Sequence, residues 1–504
     1  MQVSRQRPLC AAISIIGLTA SLTRPLPAQE SAGYGKSQAP LTPIENFLGV
    51  CQAGNGDSPR RLGVGWNRVD VQWGPDIDHP VNEESLKKQI LSAQANGVKV
   101  LPILDYLSPW AAAKSSSEFD CGGVHYQIQV TADAHARSGY KRVRIGTDLA
   151  TGKEVSRKEI SGERGTPDPK AWAAFVERTV STFSKAPYNI KYWQVWNEGT
   201  IESGVFWDES QERYVDNIHI PAAKIIHKYG GKVVWGGWPD CNTLAQYDNT
   251  LLYHDAWKYT DILDTHYLPP AAFDYLYQRW VGAGKCEGIW MTEIGFTKNP
   301  EQIANTYPRM LYWALTHQFD DPDKYKVFWF AWYSPDDPKA YGYQCSLNAG
   351  SNLTEHGRQI EQFSELLKSK SLTAYGEFRT DPAIGFHIGE RDASAEGFQA
   401  DGRYILAFHI PLTSSDHWID SRTGDTRHMG VDNGITLTLP EAAVPGKTYT
   451  ARVIPLPGHD PYDARVTTKG RDLIVNAVAP IHGGESSDAP IGPERIFYVV
   501  VEPK

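Results

Sequence analysis

Between about residues 44 and 370 the sequence alternates short β-rich runs with helical patterns, and no other feature restricts the fold as strongly. Such alternation calls for a parallel sheet whose strands are joined by crossover helices. The strand candidates are Phe47–Cys51, Trp66–Val71, Lys99–Leu104 and Ile190–Trp196, then Lys232–Gly236, Ile262–Tyr267, Gly288–Glu293 and Val327–Trp332. Eight strand–helix units in one run predict an α/β chain with a (β/α)8 TIM barrel carrying insertions. The intervening helices have readable ends. Asp168 is an N-cap with Pro169 behind it, and Trp172, Phe175, Val176, Thr179 and Phe183 recur on one face. Asn82 caps a helix that stops at Asn96-Gly97, and Thr354 caps one carrying Ile360, Phe363, Leu366 and Leu367. The first unit is the weakest, since Ala53–Leu62 is too short for a good helix.

Two stretches depart from the alternation. Ala111–Thr166, between the third strand and its helix, is polar and Gly-rich, and its runs His125–Val130 and Tyr140–Ile145 read as a hairpin. An excursion there is either a surface elaboration or a wall of the barrel face on which active sites are built. From about Ser371 to Lys504, the runs Tyr404–Phe408, Thr436–Leu439, Thr448–Ile454, Asp472–Val475 and Arg495–Val501 predict an all-β C-terminal sandwich. Turn residues such as Asp401-Gly402 and Asp432-Asn433-Gly434 separate them. Of 16 tryptophans only Trp418 falls in this tail, so it is expected to be structural rather than a sugar-binding module.

The formal charge of −9 comes with no basic footprint beyond Lys141–Arg142–Val143–Arg144, which reads as a solvated strand or loop. Nucleic-acid partners are therefore not expected. Met1–Ala28 reads as an export signal: Arg5 and Arg7 precede the apolar stretch Leu9–Leu22, and Leu26-Pro27-Ala28 offers a cleavage site. Residues 29–43 read as a linker. No segment reaches the ~20 apolar residues of a membrane helix, so the chain is expected to be secreted or periplasmic. Five cysteines then remain (Cys51, Cys121, Cys241, Cys286 and Cys345), without CxxC spacing, so no zinc site is expected. An oxidising compartment permits one or two disulfides among them, with at least one thiol left over.

The chemistry concentrates in two segments. Tyr192-Trp193-Gln194-Val195-Trp196-Asn197-Glu198 ends the fourth strand, and Ile289-Trp290-Met291-Thr292-Glu293-Ile294-Gly295-Phe296 ends the seventh. A lone glutamate after an apolar run usually just leaves a buried strand for solvent or an arginine. Two of them, on strands four and seven of eight, aim two carboxylates at one barrel mouth. Glycosidic cleavage needs such a pair: one protonates the leaving oxygen while the other attacks carbon or activates water.

The Trp-Asn-Glu and Thr-Glu-Ile-Gly motifs resemble those of retaining glycoside hydrolases of clan A. Within the clan, Gly63–Trp73 (GVGWNRVDVQW) and Val100–Tyr106 (VLPILDY) are most similar to family 39, which includes β-xylosidases, iduronidases and exopolysaccharide hydrolases. The resemblance spans about residues 44–370 and implies Glu198 as general acid/base and Glu293 as nucleophile. The acid must hold a proton near neutral pH while its partner stays ionised, and the two carboxyls should lie about 5–5.5 Å apart.

The same resemblance sets Asn197 on the sugar 2-hydroxyl, although an Asn there also suits a strand-to-helix turn. Arg68 on the second strand needs a carboxylate, with Glu293 the natural partner and Asp70 the rival. His266 and Tyr267 end the sixth strand, where they touch the sugar or the nucleophile, or are simply structural. Trp332, within Phe328–Tyr333, is expected as a sugar platform. Trp110, Trp238 and Trp73 suit either a carbohydrate cleft or ordinary core. The chemistry requires no cofactor and no metal. The partner expected is an oligo- or polysaccharide. Two readings share these residues: a non-catalytic carbohydrate-binding barrel and a transglycosylase.

Overall fold

The computed structural model describes residues 40–54, 57–113, 117–136, 138–204, 206–295, 301–317, 321–332, 346–349, 352–389, 393–411, 417–419, 426–428, 434–478 and 494–504. The export signal, most of the linker, Phe296, Tyr333, Cys345 and most of the Asp432-Asn433-Gly434 turn lie outside them. Eight strands close a parallel barrel in the order of the chain: Leu48–Cys51, Trp66–Asp70, Lys99–Leu104, Tyr192–Val195, Lys232–Val234, Ile262–His266, Gly288–Gly295 and Tyr325–Phe330. All eight predicted runs are these strands. They are buried on both faces because crossover helices cover the outside, which explains why they read as continuous apolar runs rather than alternating ones.

The helix ends follow the local chemistry. Asp168 accepts from the backbone N–H groups of Lys170 and Ala171, opening helix Pro169–Phe183, whose Trp172, Phe175, Val176, Thr179 and Phe183 are buried. Asn82 and Thr354 cap helices Glu83–Ala95 and Glu355–Leu367 in the same way. Each such cap contributes about 1 kcal/mol. Among the described residues between the first and second strands, the helical segment is the short 3-10 turn Pro59–Leu62, as the sequence there suggests.

The chain divides into two compact units. The first, chiefly Arg68–His266, holds strands three to six, the last three residues of strand two and the insertion. The insertion is a four-stranded antiparallel sheet, Ser117–Cys121, Val124–Ala132, Tyr140–Asp148 and Glu154–Ser161, paired in that order. The expected hairpin is its centre. Its outer strands are too polar and exposed to show a burial pattern. The expectation that Lys141–Arg144 is solvated is corrected. Arg142 and Arg144 are buried, Arg142 Nε donates to Asp208, and Arg144 Nη2 donates 3.2 Å to the Ile201 carbonyl. Asp208 also accepts from the N–H and hydroxyl of Thr166. The insertion sheet is thereby tied to the loop that follows the fourth strand.

The second unit holds strands one, seven and eight and the C-terminal sheet. That sheet contains all five predicted tail strands, joined by Ser394–Ala400, Tyr462–Lys469 and two short edge segments, in one nine-stranded antiparallel order. It curls on itself, so that Ala395, Leu406, Phe408, Phe497 and Val499 from one half share a core with Leu437, Leu439, Leu473 and Val475 from the other. This is a sandwich made by curling rather than by two separate sheets. Asp401 (φ 50°) and Gly402 (φ 78°) form the tight left-handed turn between its strands Ser394–Ala400 and Arg403–Pro411. The tail packs against helix Glu301–His317, where Ala304 meets Leu456 and Ile496. Among the described residues no helix is long and apolar enough to cross a membrane, and no disulfide joins Cys51, Cys121, Cys241 and Cys286.

Candidate active site

Left-handed backbone recurs at the C-terminal ends of the barrel strands. Gln52, Tyr106, Trp196, Glu198 and Tyr267 follow strands one, three, four and six with positive φ (63°, 53°, 68°, 45° and 56°). Side-chain-bearing residues avoid this region unless their surroundings enforce it, and such strain gathers where function needs a particular geometry. For Glu198 the enforcement is visible. Its N–H donates to Gly236 O at 2.6 Å, and its own carbonyl accepts from Thr200 N and Ser203 Oγ.

Two hydrogen-bonded groups make up the site. The first centres on Glu198, whose side chain is 13% exposed and whose Oε1 lies 3.0 Å from Nδ1 of the fully buried His266. His266 Nε2 in turn sits 3.9 Å from Asp264 Oδ2. Asp264 accepts from Gln194 Nε2 at 2.8 Å, Gln194 Oε1 from Arg68 Nε at 2.5 Å, and Asn197 Oδ1 from Arg68 Nη2 at 2.8 Å. Hydrogen bonds thus run from Asn197 through Arg68 and Gln194 to Asp264, which faces His266, the partner of Glu198, across 3.9 Å. Arg68 fixes the Asn197 amide with its oxygen inward, leaving the NH2 end for a ligand. Gly237 (φ 71°) makes room for the imidazole: a Cβ there would lie 2.1 Å from His266 Nε2.

The second group centres on Glu293, 8% exposed. Tyr267 donates its hydroxyl to Glu293 Oε2 at 2.7 Å and its N–H to the Glu293 carbonyl at 2.9 Å. A charge-assisted bond of this kind holds a carboxylate in place and favours its ionised form. One ligand atom each of Glu198, His266 and Glu293 lie within 4.8 Å of one another. The distances also suit a cation, but lone pairs here already serve the His266 and Tyr267 contacts.

The tryptophans divide differently from the expectations. Of the two places open to Trp238, cleft or core, it takes the core: it is 1% exposed, stacks on Tyr247 at 4.6 Å and donates to Thr243 O. Trp332 is also 1% exposed, with the Arg61 guanidinium 5.7 Å from its ring centre. Trp73 and Trp110 are half-buried and meet edge to face; Trp73 stacks on Phe175 at 4.1 Å, and Trp110 donates to Gly74 O. Trp73 lines a groove of about 720 Å3 with Asn82, Glu83 and Arg178, which none of the residues around the glutamates line. Gln194 and Asp264 are site residues that the sequence reading missed. Each is a polar residue inside a buried strand, with Asp264 two before His266 and so on the same strand face.

No protein-family model matches this sequence, and no curated protein matches it. The fold does have solved counterparts. A family 39 glycoside hydrolase from the gut symbiont Bacteroides cellulosilyticus WH2 superposes at a TM-score of 0.51 with 13% identity, covering 91% of this chain and 81% of its own. A glucosidase from Croceicoccus marinus superposes at 0.50 with 10% identity, covering 92% and 97%. The chain thus shares the fold of glycoside hydrolases, as the barrel motifs implied.

Proposed function

We propose that this chain is a retaining glycoside hydrolase that cleaves an oligo- or polysaccharide by double displacement. The observation that carries the reading is the pair Glu198 and Glu293, at the ends of strands four and seven, with oxygens within 4.8 Å. That spacing fits a nucleophile and an acid, whereas an inverting pair needs about 6.5–9.5 Å to seat a water. In the first step Glu198 gives its proton to the leaving oxygen while a Glu293 oxygen bonds to the anomeric carbon and the glycosidic bond breaks. Tyr267 donates to Oε2 and holds the Glu293 carboxylate in place for that attack. Once Glu293 is esterified its charge is gone, and Glu198 takes a proton from water as the water displaces the ester. His266 keeps Glu198 in one rotamer through both steps. Asn197 donates to the sugar 2-hydroxyl, a contact that tightens as positive charge develops on the ring.

The reading includes export: the signal at Met1–Ala28 directs the chain to the periplasm or the medium, where polysaccharides are found. The test is turnover by the mature chain on a panel of aryl β-glycosides and plant and bacterial polysaccharides, beside Glu293→Ala. Product from the wild type alone, with the substrate's anomeric configuration in the first-formed sugar, supports the reading. Inversion, activity that survives Glu293→Ala, or a folded protein that binds sugar without turnover overturns it.

A further inference from the structure

Arg164 closes the insertion sheet onto the barrel mouth, and its surroundings are built rather than loose. Three backbone hydrogen bonds hold the segments together: Arg164 N to Ser161 O, Gly165 N to Phe206 O and Leu107 N to Glu163 O. The Arg164 guanidinium lies over the Phe206 ring at 4.5 Å and the Tyr106 ring at 5.4 Å, and the two rings stack at 5.9 Å. Tyr106 is the left-handed residue after strand three. Phe206 lies on the loop that begins at Glu198, and its carbonyl accepts from Trp196 Nε1 at 3.2 Å. All three side chains are half-buried. Lys158 adds a second cation to this loop, its ammonium 2.1 Å from where a Cβ on Gly204 would sit.

Among the described residues the Arg164 guanidinium makes cation–π contacts and neither a hydrogen bond nor an ion pair. An arginine pre-ordered on two aromatic faces, with no acceptor on its side-chain N–H groups among the described residues, is arranged for a planar anion that can accept two parallel hydrogen bonds. We infer that Arg164, Phe206 and Tyr106, held together where the insertion meets the loops after strands three and four, form a subsite that takes a carboxylate-bearing glycan. The inference rests on the carbohydrate reading above and names the class of glycan that the same mouth selects. The carboxylate meets the guanidinium, and the stacked rings limit the water competing for it.

Three probes on one scaffold separate the possibilities: 4-nitrophenyl β-glucuronide, 4-nitrophenyl β-glucoside and the 6-sulfate of that glucoside. Their dissociation constants are measured by ligand-observed NMR on the full mature chain, at low and high salt. The expected order places the glucuronide on the order of 10- to 100-fold tighter than the glucoside. Arg164→Met, which keeps the stacking bulk, removes that difference, and Arg164→Lys restores part of it. Equal binding of glucuronide and glucoside, a difference that survives Arg164→Met, or no binding of any probe overturns the proposal. A sulfate that binds as tightly as the carboxylate overturns the carboxylate assignment. Binding is read without turnover, so the role of Arg164 is tested even in a chain that fails to hydrolyse.

Discussion

Replacing Gly237 by alanine tests whether His266 holds the catalytic acid. The new Cβ would lie 2.1, 2.3 and 2.5 Å from His266 Nε2, Cε1 and Cδ2, so a fully buried ring must shift by about 1 Å to reach van der Waals contact. The left-handed φ of 71° adds about 1–2 kcal/mol of strain, and overfilling a packed site about 1–3 kcal/mol. A loss of roughly 2–5 kcal/mol in stability follows. Because His266 Nδ1 bonds Glu198 Oε1 at 3.0 Å, the acid moves with it, and a misplacement near 1 Å costs about 100-fold in rate. The assay compares kcat/KM on two aryl glycosides of whichever sugar the chain accepts. One carries a poor leaving group (phenyl), the other a good one (2,4-dinitrophenyl). The phenyl glycoside loses about 100-fold, and the dinitrophenyl glycoside, whose leaving oxygen needs little protonation, loses only a few-fold. Gly230→Ala is the control: its φ is 73° but its Cβ meets nothing within 4 Å, so it carries the strain without the clash and keeps full activity. Equal losses on both glycosides, or an unaffected Gly237→Ala, would refute the role assigned to His266.

Three further outcomes follow from named contacts. Asp208→Ala leaves Arg142 buried without its carboxylate and is expected to cost about 3–5 kcal/mol by chemical denaturation; a loss below about 1 kcal/mol would show that the insertion sheet does not depend on this pair. Tyr267→Phe removes the donor to Glu293 Oε2 and is expected to lower kcat about 10- to 100-fold, while thermal stability changes little; an unchanged kcat would contradict the contact's role. Glu396, buried on the strand Ser394–Ala400, is pushed up to about 7 by burial, with Arg309 and Ser394 opposing. The folded state therefore holds this proton more tightly than the unfolded one. The group's contribution is complete below its ordinary value of 4.5 and is lost as the pH rises through about 7, at most about 3 kcal/mol. Melting of wild type relative to Glu396→Gln should fall between about pH 4.5 and 7, and a constant difference would exclude the effect.

What the sequence revealed follows from how locally each feature is encoded. Strands buried on both faces and helices with capping residues are set by neighbouring residues, so all eight barrel strands and the caps Asn82, Asp168 and Thr354 were readable. Glu198 and Glu293 were readable because a strand's end also fixes its direction toward the mouth. Contacts distant in sequence were not. Nothing near Arg142 in sequence announces Asp208, 66 residues away, and a basic run therefore looked solvated when it is an anchor. Likewise Gln194 and Asp264 sit 70 residues apart and become a chain only when the strands pair. Tryptophan identity says nothing of exposure, which is why cleft and core both stayed open for Trp238 until the assembled strands placed it in the core.

The central claim is that Glu293 is the nucleophile of a retaining pair. It is tested most directly by inactivating the enzyme with a 2-deoxy-2-fluoro glycoside of its accepted sugar and locating the label by peptide mass spectrometry. The account predicts one glycosyl unit, carried as an ester on Glu293. A label on any other residue, or an enzyme that turns over with Glu293 replaced by alanine, would contradict it.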